Sequence, residues 1–285
     1  MEGTIVTEYD LTYISLGAGR QSTAMAICSA LGLHGVKKVK YCLFADTGDE
    51  IQDTYDHIAR LTAFLAKHGI QVFTVKTSVL SEDLVKAATG EMKRAASIPA
   101  FTPSPTDGST SLLWRQCTSE YKIYPLRKFA RKLLGLKPKE RIGNRKIEVL
   151  VGISMDEVIR MKPSDQKWET RSYPLIDARL RVEDCKRICM EHLGYVPEKS
   201  ACRFCPYHDN HFWSWLKKDR PSEFKQACNL DNTLRDQSKK GVKMPVYIHR
   251  TLEPLDKIDF DALIKDPNQM TLDGFGNDCE GYCGI

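Results

Sequence analysis

The chain has 285 residues, 42% hydrophobic and 28% charged, with a formal net charge of +5. This is the composition of a globular protein long enough to bury a large core without disulfides. No apolar run approaches the ~18 residues of a membrane span, and the polar start, Met1 to Asp10, lacks a secretory pattern, so a cytoplasmic location is expected. So modest a charge restricts any nucleic-acid surface to a local patch.

Taken in order, Leu11 to Leu16 reads as a buried strand and Gln21 to Leu33 as a helix. Val39 to Ala45 is a second strand. Thr54 to Lys67 is a second helix, with Ile58, Leu61 and Leu65 on one face, and Gln71 to Val75 is a third strand. This alternation predicts an α/β fold, a doubly wound, mostly parallel sheet with helices on both faces. Ala95 to Ser111, rich in Pro, Ser and Thr, reads as a long loop of the kind that forms lids or binding segments. A helix resumes near Thr118, with Ile123, Leu126, Ala130 and Leu133 on its apolar face, and Ile147 to Ile153 is another buried strand. Helical patterns cover Val182 to Leu193, His211 to Lys218 and Ser222 to Ser238. The expected division is a nucleotide-binding α/β domain over 1–195 and a smaller Cys-rich helical part over 196–285.

The first strand runs into Ser15-Leu16-Gly17-Ala18-Gly19-Arg20-Gln21-Ser22 and then a helix. Small residues let the backbone approach a ligand, and a helix N-terminus offers unpaired N–H groups to phosphate. The second strand ends in Phe44-Ala45-Asp46-Thr47-Gly48, and a later one in Gly152, with Asp156, Glu157 and Arg160 beyond it. In open α/β sheets ligands bind outside the carboxyl ends of the strands, so these three segments are expected around one crevice.

Ten cysteines in a reducing compartment point to metal or catalysis rather than to disulfides. Cys202 and Cys205 form a CxxC, and Cys279 and Cys283 form a CxxxC, together four candidate thiolates for zinc or an iron–sulfur cluster. His208 and His211 follow the CxxC, where packing or surface roles are the commoner use. Cys117 opens a helix, a position that favours thiolate. It is read as a sulfur-handling nucleophile, a ligand or a core residue. Arg115 to Lys146 holds eleven Lys or Arg and two Glu. This is either a solvated face or a path for tRNA or DNA, without an aromatic stacking platform among its charges.

Gly17 to Ser22 resembles the Ser-Gly-Gly-Lys-Asp-Ser PP-loop of the adenine nucleotide α-hydrolase superfamily. The segment from Phe44 to Gly48 looks like the adenosine-binding strand end of its phosphoadenosine phosphosulfate (PAPS) reductase group. Gly152 to Arg160, Arg115-Gln116-Cys117-Thr118 with Lys122 and Pro125-Leu126, Tyr173-Pro174-Leu175 with Asp184, and Ser200 to Pro206 are similar to other segments of that group. The LGAGxQS start and Cys-Glu-Gly-x-Cys-Gly ending resemble a branch common in phages and prophages. Gln21 and Arg20 replace the loop's usual acid and lysine, and Ser154 stands where relatives often carry arginine.

The resemblance implies ATP or a PAPS/APS-type sulfonucleotide held by Ser15, Gly17, Ala18, Gly19, Gln21, Ser22, Phe44, Asp46, Thr47 and Gly152. Arg20, Cys117, Asp156, Glu157 and Arg160 would act in catalysis, with Mg2+ on Asp156 or Glu157, and Cys202, Cys205, Cys279 and Cys283 would hold zinc or [4Fe–4S]. Three activities are carried forward: adenylation-coupled sulfur transfer to a nucleic-acid or small-molecule acceptor, thiol-dependent reduction of a sulfonucleotide, and a non-catalytic nucleotide- or nucleic-acid-binding module with a structural metal.

Overall fold

A computed structural model describes residues 9–95, 97–238 and 241–265. β1 (Leu11–Leu16), β2 (Tyr41–Asp46), β3 (Gln71–Lys76), β6 (Ile147–Val151) and β7 (Glu169–Ser172) form one sheet in the order β3-β2-β1-β6-β7. Every neighbouring pair in it is parallel. β1 is central, with Ser15 paired to Leu43 on one side and to Val151 on the other. The chain winds outward from β1 to β3 and then returns to the opposite side of β1. The switch point therefore lies between β1 and β6, where open α/β sheets bind ligands.

The strand period of two divides the core. Ile14, Leu16, Cys42 and Phe44 face α1 (Arg20–Leu31), α2 (Gln52–Lys67) and α6 (Val182–Leu193), through Met25, Ile27, Leu61, Leu65 and Ile188. Tyr13, Leu43, Val149 and Val151 face α4 (Tyr124–Leu133), through Leu126 and Ala130. Helices thus cover both faces of the sheet. α1 is buried along its whole length from Gln21 to Ala30, wrapped by the sheet and α6 rather than showing one apolar stripe.

A third core ties the C-terminal part to the rest. Phe204 between the two cysteines of the CxxC, Trp213 and Leu216 of α7 (Asn210–Asp219), Phe224 and Leu230 of α8 (Pro221–Thr233), and Phe260 of α9 (Phe260–Lys265) pack with Ile51, Leu80, Leu84, Ile98 and Tyr121. Burial pushes the thiols of Cys28 and Cys42 up, to about 11 and about 12, as expected of inert core cysteines.

Besides the edge strand β7, for which the sequence reading had no assignment, four features depart from it. α3 (Leu80–Thr89) occupies a stretch with no assignment, its buried face being Leu80, Asp83, Leu84 and Ala87. The Pro-rich loop contains a hairpin of β4 (Phe101–Pro103) and β5 (Thr110–Leu112), held by reciprocal backbone bonds between Phe101 and Tyr247. Long-range pairing overrode the local turn signals there. Residues Thr118–Ile123 form a π-helical segment before α4. Pro125 lacks an N–H and crowds the carbonyl four residues back, so the chain widens its turn before α-helix resumes. α8 stops at Thr233 rather than Ser238. Beyond it Arg235 turns inward to donate to Asp231 and to the Val246 carbonyl. β7 and the short α5 (Pro174–Asp177) complete the fold.

Two buried histidines act as neutral ties, one between helices and one between a connecting segment and the start of α7. His57 of α2 bonds Thr23 Oγ1 of α1 at 2.9 Å and the Tyr195 hydroxyl at 3.0 Å. His249 bonds Asn210 Oδ1 at 2.9 Å and Thr251 Oγ1 at 3.0 Å. Burial lowers both to about 4. The unfolded chain thus binds more protons than the folded one between about pH 6.5 and 4, so stability is full above that window and falls on acidification through it. Each ring is expected to remove about 2 kcal/mol of stability between pH 7 and 5. Urea unfolding at the two pH values checks this: the His57→Gln, His249→Gln variant should show a flatter pH dependence, and an unchanged slope would refute the assignment.

Candidate functional site

β1 delivers residues 17–19 to the sheet's carboxyl edge, and Gly19 is the N-cap of α1 without any side-chain cap. The Ser22 hydroxyl donates to the Gly19 carbonyl at 3.2 Å, so it satisfies none of the first-turn N–H groups. Ala18 sits in the left-handed region, at φ +64°, a strained conformation for a residue with a Cβ. From the end of β6, Gly152 packs against the first turn of α1. A Cβ there would lie 2.7 Å from Ser22 Cα and 2.8 Å from Ser22 N, so only glycine fits.

Gln21 is fully buried. Its Nε2 donates to Ser154 Oγ at 3.0 Å and to Glu157 Oε2 at 2.9 Å. Its Oε1 has no hydrogen-bond partner among the described residues. Arg160 pairs with Glu157 at 2.7 Å. Asp156 is exposed and accepts from the Val182 N–H at 2.6 Å, capping the start of α6. Of the two carboxylates proposed for magnesium, Glu157 is the one already neutralised.

Arg20 turns away from the loop. Its Nε donates to the Pro197 carbonyl at 3.2 Å, and its guanidinium lies 3.6 Å from Glu198. The connection between α6 and the CxxC is thereby clamped beside the loop. At the end of β2, Asp46 Oδ1 accepts from Gly48 N at 2.7 Å and from the Tyr55 hydroxyl at 2.8 Å. Gly48 makes this turn at φ +81°, with Val79 where a Cβ would go. Phe44 faces inward into the α1 core. Ser15, Gly17, Ala18, Gly19, Ser22, Asp46, Thr47 and Gly152 lie on the carboxyl edges of three strands, one of which, β1, adjoins the other two.

The CxxC is held against the end of β2. Glu50 and Cys202 form an isolated antiparallel bridge, and Arg203 N donates to the Asp49 carbonyl at 2.8 Å. Thr47 Oγ1 lies 3.2 Å from Cys202 Sγ. Cys117, Cys202 and Cys205 line one enclosed void of about 20 Å³ with Thr47, Arg115 and Lys122. Burial, and then the Glu50 carboxylate, pushes the Cys202 thiol well up; burial raises Cys205 too, opposed by Arg115. His208 is no candidate ligand: its Nε2 bonds the Cys202 carbonyl at 2.8 Å and its ring stacks on Phe212. Cys185 and Cys189 lie in the core under α1. Cys279 and Cys283 fall outside the described residues.

Among the described residues, no three Cys, His, Asp or Glu side chains are gathered to hold a metal ion. Three thiols around a void the size of one water, without convergence on a point, do not make a zinc site.

The basic stretch divides. Arg127 is spent on Glu169, Asp165 and Ser164. Arg131 is bonded to the Glu140 carbonyl, whereas Lys128 and Lys132 are exposed. The sequence reading left the whole stretch as either a solvated face or a polyanion path. What it lacked was the acidic partner, which arrives from β7 and the turn before it.

No family model and no curated protein matches this chain. Among solved structures it is similar to the U34-tRNA thiolase NcsA from Methanococcus maripaludis, determined with its [4Fe-4S] cluster. Identity is 15%, over 81% of this chain and 74% of that one, with a TM-score of 0.37. No helix among the described residues is long and apolar enough to cross a membrane.

Sequence patterning gave no sign of the Glu50–Lys122 pair. Glu50 is fully buried, 3.8 Å from Lys122 and 3.3 Å from the Ser200 hydroxyl. Burial raises its pKa, against the pull of Lys122. Removing one partner strands the other charge, so Lys122→Met is expected to cost about 3–5 kcal/mol in denaturant unfolding. Adding Glu50→Gln should restore much of the loss. A single-variant cost below about 1 kcal/mol would show that this pair does not hold the β2 edge to the π-helical segment.

Proposed function

We propose that the chain is a PP-loop enzyme that binds ATP or an adenylyl sulfonucleotide at the switch point between β1 and β6. The observation that carries this reading is the contact between Gly152 and the first turn of α1. Two strand ends are pressed on an uncapped helix N-terminus so closely that no side chain intervenes. Such a nest of backbone N–H groups is suited to phosphate. Gly17, Gly19 and Ser22 would hold phosphate, Asp46 and Thr47 would approach the adenosine, and the unpaired Gln21 Oε1 offers a buried acceptor.

The reaction favoured is adenylation-coupled sulfur transfer to a nucleic-acid or small-molecule acceptor. Asp156 would take Mg2+, which is commonly held by one or two carboxylates plus substrate phosphates. Arg160 would stabilise charge developing on the phosphate, and Arg20 would join it on leaving Glu198. Cys117, lining the void beside Thr47, favours a second reading. In it the Cys117 thiolate attacks the sulfonucleotide sulfur, the S–O bond to the nucleotide phosphate breaks, and an S-sulfonate forms on the cysteine; an external dithiol then releases sulfite, restores the thiol and is itself oxidised to a disulfide. Pyrophosphate release marks the first reaction, and dependence on a dithiol marks the second.

The nucleotide assignment is tested by Gly19→Val, expected to abolish ATP and PAPS binding in calorimetry while far-UV circular dichroism and melting stay near wild type. Gly152→Ala should weaken binding and also cost about 1–3 kcal/mol of stability, because the new methyl must displace backbone. Unaltered affinity in both variants would remove the site from this loop.

The four-thiolate centre of Cys202, Cys205, Cys279 and Cys283 remains part of the proposal, since the described residues alone do not supply it. Anaerobically purified protein should contain zinc or iron with sulfide, and Cys279→Ser with Cys283→Ser should lose it. Metal retained at full stoichiometry would refute the four-thiolate centre.

A further inference from the structure

α4 begins at the lip of a cleft of about 680 Å³, lined by Ser119, Ile123, Tyr124, Arg127, Pro163 and Arg171. That volume suits one nucleotide-sized group. Its chemistry does not suit a bare phosphate: Asp165 and Glu169 neutralise Arg127, and Glu120 adds another carboxylate to the wall. Apolar flanks with mixed donors and acceptors suit a neutral, planar, hydrogen-bonding group.

Tyr124 stands at this lip with 68% of its surface exposed, so its ring is open to a stacking partner from solvent. Lys128 and Lys132 follow it at four-residue intervals, both exposed. On a helix that spacing sets the three side chains along one face, about 6 Å apart along the axis. An aromatic ring at a cleft, continued by a ladder of ammonium groups, combines stacking with backbone attraction. The exposed surroundings are complementary to a polyanion: Lys137, Lys139 and Arg141, just beyond α4, are exposed like Lys128 and Lys132, whereas Lys122 and Arg127 are paired with carboxylates.

We propose that this face binds a single-stranded nucleic acid, with one base in the cleft against Tyr124 and adjoining phosphates on Lys128 and Lys132. A base within a duplex cannot enter such a cleft without leaving its stack, which favours single strands or loops over duplex. The inference rests on the reading of the enzyme as acting on a nucleic-acid acceptor, and it gives that acceptor a surface and a strandedness.

The test uses the full chain and fluorescein-labelled oligouridylate, a thymidine oligomer of equal length and a duplex of that length, read by anisotropy across a salt series. Tyr124→Ala is expected to weaken single-strand binding roughly tenfold, and Tyr124→Phe to restore it, because the ring and not the hydroxyl stacks. Lys128→Ala with Lys132→Ala should lower the slope of log affinity against log salt by about 1.4. Photo-crosslinking of wild-type protein to an iodouracil oligomer should label Tyr124, a readout independent of whether any variant folds.

Three results would overturn the proposal: no single-strand binding at low salt, equal binding by wild type and Tyr124→Ala, or duplex bound more tightly than single strands. Nucleotide titration of the same variants separates the two readings. ATP or PAPS affinity should be unchanged in them, so loss of the nucleic-acid surface leaves the phosphate loop standing.

Discussion

The molecule is organised around the place where α1 meets the ends of β1 and β6. Ser22 Cα would lie only 2.7 Å from a Cβ on residue 152, so strand end and helix start are in backbone-to-backbone contact. Several features follow from that approach. Residues 17–19 must turn within a short span, and Ala18 is held at positive φ to do it. α1 is drawn into the middle of the molecule and is buried on every side. Its N-terminal amides have no side-chain cap, and the hydroxyl nearest them, on Ser22, is a donor to Gly19. Positive φ and uncapped amides gathered at one strand-to-helix turn are the kind of local cost that persists where a ligand is bound.

The same neighbourhood accounts for two of the three departures from the pattern this chain resembles, those at Gln21 and Ser154. Residue 21 points toward Ser154 and Glu157, with its amide nitrogen 2.9 Å from Glu157 Oε2. A carboxylate at position 21 would oppose the Glu157 carboxylate at close range in a buried setting, which is costly. An amide donates to it instead. Ser154 is small enough to let Gln21 in and takes the second N–H. Gln21 and Ser154 are thus a matched pair, and Arg160 supplies to Glu157 the positive charge that neither offers.

Four of the sheet's five strands, the helices packed on them and the convergence of three strand ends could be read from the sequence because each rests on local pattern, whereas the polar edge strand β7 could not. Continuous apolar runs gave central strands, and α6 from Val182 to Leu193 agrees with its periodicity to the residue. What could not be read depends on partners distant in the chain. β4 and β5 pair with each other and with Tyr247 against a run of prolines and serines. The orientation of Arg20 depends on Pro197 and Glu198, 177 residues or more away. Arg127 looked like a surface charge until β7 brought Glu169 beside it. Tyr124 was hidden by register: the π-helical widening ahead of Pro125 helps set which way the first residues of α4 face, and no periodicity template carries that shift.

The end of β2 joins the two chemistries of the proposal physically. Thr47 ends the strand-edge motif and touches Cys202 at 3.2 Å, while Glu50, three residues on, pairs its backbone with Cys202 and its carboxylate with Lys122. Lys122 in turn lies on the π-helical segment that Cys117 opens. Phosphate edge, CxxC and Cys117 are therefore fixed to one another through a buried ion pair and a strand bridge rather than through flexible loops. A charge pair in so dry a place is seldom favourable by comparison with apolar packing. Its use here is positional. It specifies where a thiol-bearing turn and a π-helical segment distant from it in the sequence meet the sheet, and it holds Lys122, beside Arg115, on the wall of the void that the three cysteines share.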